Sequence, residues 1–446
     1  MILAWRLFSS RQAQSSRQAT TVNRHSGLRK RPWRVAVLVS ALALSIAATG
    51  HAAAVKPRPA TEFSRSRLDR ISAYFTHEVA AKKIPGAIVL IRRHGRPAYF
   101  KTFGVRDVAT GAPMTSDTIF RLYSMSKPIT AVAAMMLVEE GKLSLSDPLS
   151  KYIPAFADVK VGVERVGDDG KPRLDLVPPE RPITIEDLLR HSSGIVYDYV
   201  VFGLIKQIHI DANVLAGDFD NAELAQRIAR LPLAYQPGTT WAYGYSFDIL
   251  SRVIEVVSGQ SLLQFERQRL FGPLGMTGTG FYVAKPARQG LVAEPLPNDP
   301  VPTNPRMRKR WQSGGAGMVS TSADLTRFFQ MLLNGGTLGG KRYLSRKTVD
   351  LMLADSIGPA AGVKPWLYYY PGAGFGFGLG FAVRTEAGVS PWPGSVGQVD
   401  WGGAAGTYFW IDRQEDMLVL LMVQSPTERG RIEAALKNMV YGAFEK

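Results

Sequence analysis

Ser124 and Lys127 stand three residues apart in Phe120-Arg-Leu-Tyr-Ser-Met-Ser-Lys-Pro-Ile-Thr130. A serine hydroxyl is a weak nucleophile until another group accepts its proton. A lysine in a dry site loses affinity for its own proton, because desolvation disfavours the charged form. On a helix, residues three apart share a face, so S-x-x-K can bring nucleophile and base together. The apolar run Ala131 to Leu137 predicts a buried helix, with Ser124 at its N-terminal end. Pro128 fits the first turn, where backbone N–H groups lack intrahelical partners. The partial positive charge of that helix end favours an oxyanion. Four residues alone fit a chance helix start equally well, so distant partners must carry the argument.

Two segments offer them. Tyr243 lies on a loop just before a helical pattern. A phenol whose proton is partly withdrawn by a nearby ammonium can act as general base on a serine. The alternative is a packing tyrosine between Trp241 and Tyr245. Trp401-Gly402-Gly403-Ala404 reads as the opening of a strand that continues to Trp410. Its glycines permit close backbone approach, and an N–H there could pair with that of Ser124 as an oxyanion hole.

Other chemistries find no support. The chain has no cysteine, which excludes disulfides, thiolate metal sites and cysteine nucleophiles. It has no G-x-S-x-G and no H-E-x-x-H. Gly335 to Lys341 is followed by arginine and misses the phosphate-loop pattern, and Gly374 to Gly380 misses dinucleotide spacing. His191 and His209 are lone histidines without a ligand cluster, and His191 is read as structural. No metal and no cofactor is expected.

The 446 residues are 46% hydrophobic and 20% charged, enough for one large globular domain or two intertwined ones. Eight Lys/Arg and no acid lie in residues 1–54, leaving +9 of the net +17 on the remainder. That balance does not read as nucleic-acid binding. Arg29-Lys-Arg31 and Arg34 precede an apolar run, Val35 to Thr49, and small residues ending in Ala52-Ala-Ala54. These are the parts of a secretory signal. Export to the periplasm or beyond is expected, with an uncleaved inner-membrane anchor as the rival. A Pro-containing linker, 55–64, follows.

From 65 to 445 the pattern is one catalytic domain of α/β (α+β) type. Leu68, Ile71, Phe75 and Val79 recur at helical spacing, and Gly86–Ile91 with Ala98–Phe103 predicts a hairpin around His94-Gly95. Residues 158–181 look like a surface insertion. Helices are expected at Ile185–Leu189, Leu224–Leu231, Ile249–Val257, Leu262–Leu270 and Ala323–Leu333. Strands are expected at Phe375–Val383 and Met417–Val423, and a closing helix at Ile432–Phe444. The simplest assembly is one antiparallel sheet built from both chain ends and flanked by helices, with a mostly helical lobe. The mixed lobe would take about 65–123 and 305–445, and the helical lobe about 124–304. A cleft between them is the natural place for a site.

Ser124-Met-Ser-Lys-Pro-Ile-Thr130, His191-Ser-Ser-Gly194, Pro237-Gly-Thr239, Tyr243, Gly314-Gly-Ala-Gly317 and Trp401-Gly-Gly-Ala-Ala-Gly-Thr407 occur in that order. Together they resemble the serine β-lactamase superfamily, its class C-like branch, and within that the family VIII carboxylesterases. The resemblance implies a β-lactamase/transpeptidase-like fold. It also implies that Ser124 is acylated, that Lys127 and Tyr243 form its base system, and that the N–H groups of Ser124 and Ala404 form the oxyanion hole. Trp401, Gly402 and Gly403 take the strand position where β-lactamases carry Lys-Thr-Gly. Tyr245 stands where class C enzymes have asparagine. Both departures remove polar handles for a penicillin-like anion. They point to a small-molecule ester substrate, with a β-lactamase, D-peptidase or acyltransferase as the alternative.

Overall fold

Met417–Val423 is apolar at all seven positions, a pattern that needs cover on both faces of a sheet. In the computed structural model, which describes residues 63–299 and 301–445, this segment lies inside an eight-stranded sheet. The strands are β1 (Gly86–Arg93), β2 (Arg96–Asp107), β3 (Ala112–Pro113), β4 (Phe375–Phe377), β5 (Ala382–Arg384), β6 (Val399–Gly402), β7 (Tyr408–Asp412) and β8 (Met417–Val423). Their spatial order is β4-β5-β6-β7-β8-β1-β2-β3, and every pairing is antiparallel. β1 and β8 pair from Ala87↔Val423 to Arg93↔Met417, so the two ends of the chain meet at the centre. His94 and Gly95, both with positive φ, make the tight turn from β1 to β2. The expected sheet from both chain ends is therefore present.

Alternation along the strands divides the apolar residues between two cores. Ala87, Val89, Ile91, Val419, Leu421 and Val423 face helices α1 (Arg65–Ala80) and α5 (Arg429–Gly442), which contribute Leu68, Ile71, Phe75, Ile432, Leu436 and Val440. Ile88, Leu90, Leu418, Leu420 and Met422 face the larger core, which holds α2 (Ser126–Glu139), α3 (Ser246–Ser258) and α4 (Ser322–Leu333). Twelve of the fourteen residues of α2 are buried, so this helix is enclosed on nearly every side. α3 stops where Gly259 takes the left-handed conformation. The Thr321 side chain caps α4 by accepting from the Asp324 N–H.

Four expectations need correction. Residues 401–410 are not one strand: β6 ends at Gly402, the chain reverses, and β7 begins at Tyr408, with Trp401 opposite Phe409. The Gly403 N–H donates to the Thr407 carbonyl at 2.7 Å, and Gly406 has φ +104°, which closes that turn. Residues 375–383 likewise split into β4 and part of β5 around Gly380, at φ +97°. The 158–181 insertion contains its own hairpin, Val161–Val166 with Pro172–Val177. The segment after Leu262 is α-helical only to Glu266, then makes a π-helical turn, Arg267–Phe271.

The leader and the linker up to residue 62 lie outside the described residues. No described helix is long and apolar enough to cross a membrane.

Leu420 is fully buried at the centre of β8. Leu420→Ala is expected to lower the unfolding free energy by about 2–5 kcal/mol, read as a fall in the denaturant midpoint at unchanged slope. A loss below about 1 kcal/mol would contradict the enclosure of this face of β8 in the larger core.

Candidate active site

Ser124 sits in a single 3-10 turn, Tyr123–Met125, that runs directly into α2. Tyr123 has φ +47°, an uncommon backbone state for a bulky residue. Such strain costs on the order of 1–3 kcal/mol and persists only where its surroundings impose it. Here the Leu122 N–H donates to the Met318 carbonyl at 2.9 Å, and the Tyr123 hydroxyl pairs with the Thr303 hydroxyl at 2.9 Å. The turn is held from both sides.

One turn into α2, Lys127 is fully buried. Its Nζ donates to the Gly315 carbonyl at 2.8 Å and reaches Ser124 Oγ at 3.3 Å. Burial pulls its pKa down to about 7, and the Asp248 carboxylate opposes that shift. Asp248 is buried too, and burial raises its own pKa. It accepts from the Ser313 hydroxyl and from the Gly315 N–H, so its charge is partly spent on neighbours other than Lys127.

The Tyr243 hydroxyl donates to Ser124 Oγ at 2.7 Å. Its ring lies under Lys127 Nζ, 4.5 Å from the centroid. Rings of His191, Tyr197, Tyr370 and Trp401 surround it at 4.8–5.7 Å between centroids. Burial pushes the Tyr243 phenol above its ordinary range, while the Ser124 hydroxyl and the Trp401 indole N–H draw it partly back. The proton therefore rests on the phenol, and the amine is the group that can be free of one. The same dry environment thus acts on the two groups in opposite directions, lowering the amine and raising the phenol.

The β6–β7 turn comes up against the chain just before the Tyr123–Met125 turn, at Leu122. A Cβ on Gly403 would lie 2.2 Å from the Leu122 carbonyl oxygen and 2.4 Å from Thr407 Oγ1. Only glycine fits there, and Thr407 Oγ1 itself donates to the Leu122 carbonyl at 3.3 Å. Trp401 packs on Tyr243 and Phe377, with Gly402 next to it on the strand. Ala404 follows Gly403 in the same turn. Tyr245 packs edge-on to Tyr197 at 4.4 Å. Of the aromatics at 366–370, Tyr370 touches Tyr243. Trp366 donates to the Val200 carbonyl, Tyr368 packs on Phe202, and Tyr369 packs on Trp241.

Ser124, Lys127 and Tyr243 thus converge, although the tyrosine is 119 residues from the serine. With that geometry in place, the comparisons bear directly on the chain. The family model described as Beta-lactamase matches residues 71–441. The chain belongs to the beta-lactamase family. It is similar to Esterase EstB of Burkholderia gladioli, 29% identical over 417 residues that cover 87% of this chain and 99% of EstB. It is 32% identical to lovastatin esterase of Penicillium rubens over 377 residues, covering 79% and 91%. Among solved structures, EstCE1, a hydrolase with promiscuous acyltransferase activity, superimposes with a TM-score of 0.71 at 28% identity, covering 84% and 99%. These relatives put the chain in the family VIII esterase-like branch, and it is a serine hydrolase.

Within this beta-lactamase-family site, sequence reasoning missed Asp248 and the Gly315 carbonyl. Asp248 stands five residues after Tyr243, on the first turn of α3, and that spacing was the available clue. A carbonyl has no residue-type signature at all. His191 packs against Tyr243 with its ring. It is fully buried, neither ring nitrogen has a partner, and burial with the Lys127 charge holds it well below its usual pKa.

A lysine that titrates near 10.4 in the unfolded chain and at about 7 when folded costs stability. The full cost applies below pH 7. Between the two values the unfolded chain binds the extra proton, so stability rises with pH. Wild type should gain about 2 kcal/mol relative to Lys127→Met between pH 7 and pH 9, measured by denaturant unfolding. A difference that stays flat with pH would contradict the depressed pKa.

Proposed function

We propose that the protein is an exported carboxylesterase that cleaves short-chain or small neutral esters through an acyl-enzyme on Ser124. The observation that carries this reading is the contact of one hydroxyl, Ser124 Oγ, with both Lys127 Nζ and the Tyr243 hydroxyl. The esterase names of the relatives, EstB and lovastatin esterase, support the substrate class. Trp401 in place of a cation supports neutral acyl groups.

In the proposed cycle, neutral Lys127 accepts the Ser124 proton as Oγ attacks the ester carbonyl carbon. The tetrahedral oxyanion is held by the N–H groups of Ser124 and Ala404. The carbon–oxygen bond to the alcohol then breaks, and the leaving oxygen takes a proton relayed from Lys127 through Tyr243. Water attacks the acyl-serine, the same groups move its proton, and the carboxylic acid leaves with Ser124 restored. Trp401, Gly402, Gly403 and Tyr245 line the substrate side. If an alcohol replaces water in the second half, the product is a new ester. The promiscuous acyltransferase activity of EstCE1, itself a hydrolase, supports that second outcome as a side reaction. Export rests on the basic, apolar and small-residue segments of 1–54, and N-terminal sequencing of protein from the cell envelope tests it.

Turnover of 4-nitrophenyl butyrate is expected, with kcat/KM rising through pH 7 as Lys127 loses its proton. Ser124→Ala should abolish it, and Tyr243→Phe should lower it by about 10²–10⁴-fold. Losses for Ser124→Ala and Lys127→Met should not add, because the residues act as a unit. Butyrate turnover that survives Ser124→Ala would overturn the proposal. Turnover of a chromogenic cephalosporin with no ester cleavage would replace it with the β-lactamase reading.

A further inference from the structure

A cavity of about 80 Å³ lies beside the candidate site. Part of its wall is Tyr123, the residue before the nucleophile. Another part is Ser313, Ala316, Gly317 and Met318, which flank Gly315, whose carbonyl holds Lys127. Phe281, Met307, Trp311 and Met318 make the rest of the lining largely apolar. At one water per about 30 Å³, the space suits a chain of a few carbons.

Two polar features of this wall have no partner. Trp311 Nε1 is buried and makes no hydrogen bond, an arrangement that is costly unless a ligand supplies an acceptor. Lys309 also lines the cavity and forms no ion pair among the described residues. It belongs to Arg306-Met-Arg-Lys-Arg310, a basic run whose other members differ in how they are used. Arg306 pairs with Glu294, and Arg310 pairs with Asp220 and Glu223. The Arg121 guanidinium deeper in the wall is taken by Glu294, Ala293 and Thr303. Met307, beside Lys309 in sequence, is 62% exposed. The wall therefore offers an apolar slot, one buried donor and one uncommitted cation.

We propose that this cavity receives the acyl chain of the substrate and that Lys309 selects acyl chains ending in a carboxylate, as in half-esters of short dicarboxylic acids. The inference rests on the ester-cleaving reading of Ser124 and extends it from neutral acyl chains to chains that end in a carboxylate. Trp401 removes the cation that the β-lactamase pattern places on β6, and Lys309 supplies one from a different segment, between Ser124 and Trp401 in sequence. The chemistry at the carbonyl is unchanged. Only the far end of the acyl group meets the new charge.

The test compares two substrates with one leaving group: 4-nitrophenyl butyrate and the 4-nitrophenyl half-ester of glutaric acid, which carries the same chain with a terminal carboxylate. The readout is the glutaryl-to-butyryl ratio of kcat/KM. Because Lys309 is exposed, the expected effect is modest. Lys309→Gln should lower the ratio about two- to fivefold, and Lys309→Glu should lower it further. In wild type the ratio should fall as salt rises toward 1 M, where the screening length shrinks to about 3 Å. A ratio that neither substitution nor salt moves would overturn the proposal. If wild type cleaves neither ester, the reaction assigned to Ser124 has failed instead. Glutarate titration followed by tryptophan fluorescence, in wild type and Lys309→Glu, then judges the cavity alone: tighter binding to wild type supports it, and equal or absent binding overturns it.

Discussion

The burial of Lys127 is the constraint on which the rest depends. Among the described residues two lysines are almost fully buried, and they are kept in opposite ways. Lys437 on α5 donates to Asp400 and to the Tyr408 hydroxyl, each at 2.9 Å, within four aromatic rings. That lysine has a carboxylate partner that stabilises its charge. Lys127 has a carbonyl and a hydroxyl instead, and its carboxylate neighbour, Asp248, is engaged by Ser313 and Gly315. A buried amine without a committed counter-ion gives up its proton readily. The fold thus tolerates a locally unfavourable group at the one place where a neutral amine beside a serine has a chemical use.

Keeping that amine dry requires cover from segments far apart in the chain. α2 is enclosed almost all round, α3 packs against it, and the 313–317 turn closes over the lysine. The sheet supplies the remaining side. Because β8 pairs with β1, strands from residue 86 and from residue 417 onward form one rigid layer, and β6 with its turn is carried by that layer toward Leu122. Gly403 marks how close the approach is. Tyr123 marks its counterpart, where the nucleophile's own turn adopts a strained backbone to meet it. The strain and the close contact are two sides of one junction.

Much of this was legible in the sequence, and the parts that were not share a physical cause. Ala131 to Leu137 and Met417 to Val423 are long apolar runs, so their burial could be read directly. The β1–β2 hairpin announced itself through His94-Gly95. Ser124, Lys127 and Tyr243 were visible because their side-chain types and the S-x-x-K spacing stand out in the sequence. The β6–β7 reversal was not visible. Glycines at 402, 403 and 406 are compatible with a strand opening or with a turn, and only the pairing of Trp401 with Phe409 separates the two. Gly380 hid the β4–β5 bend in the same way. The π-helical turn at Arg267–Phe271 leaves no periodicity distinct from an α-helix over so few residues. The Gly315 carbonyl escaped because every residue has a carbonyl, and its use depends on three-dimensional placement alone.

The aromatic wall around Tyr243 suggests how one catalytic set can serve different acyl acceptors. His191, Tyr197, Tyr370 and Trp401 exclude water from the phenol by contact, and His191 takes part without a single hydrogen bond from its ring. The same desolvation that lowers Lys127 raises Tyr243, so the proton has a defined resting place and a defined destination. Loosening this wall would let Lys127 regain its charge at neutral pH, and the first proton transfer would fail before any substrate preference could matter. The choice among water, an alcohol or a lactam as reactant is therefore made outside this shell.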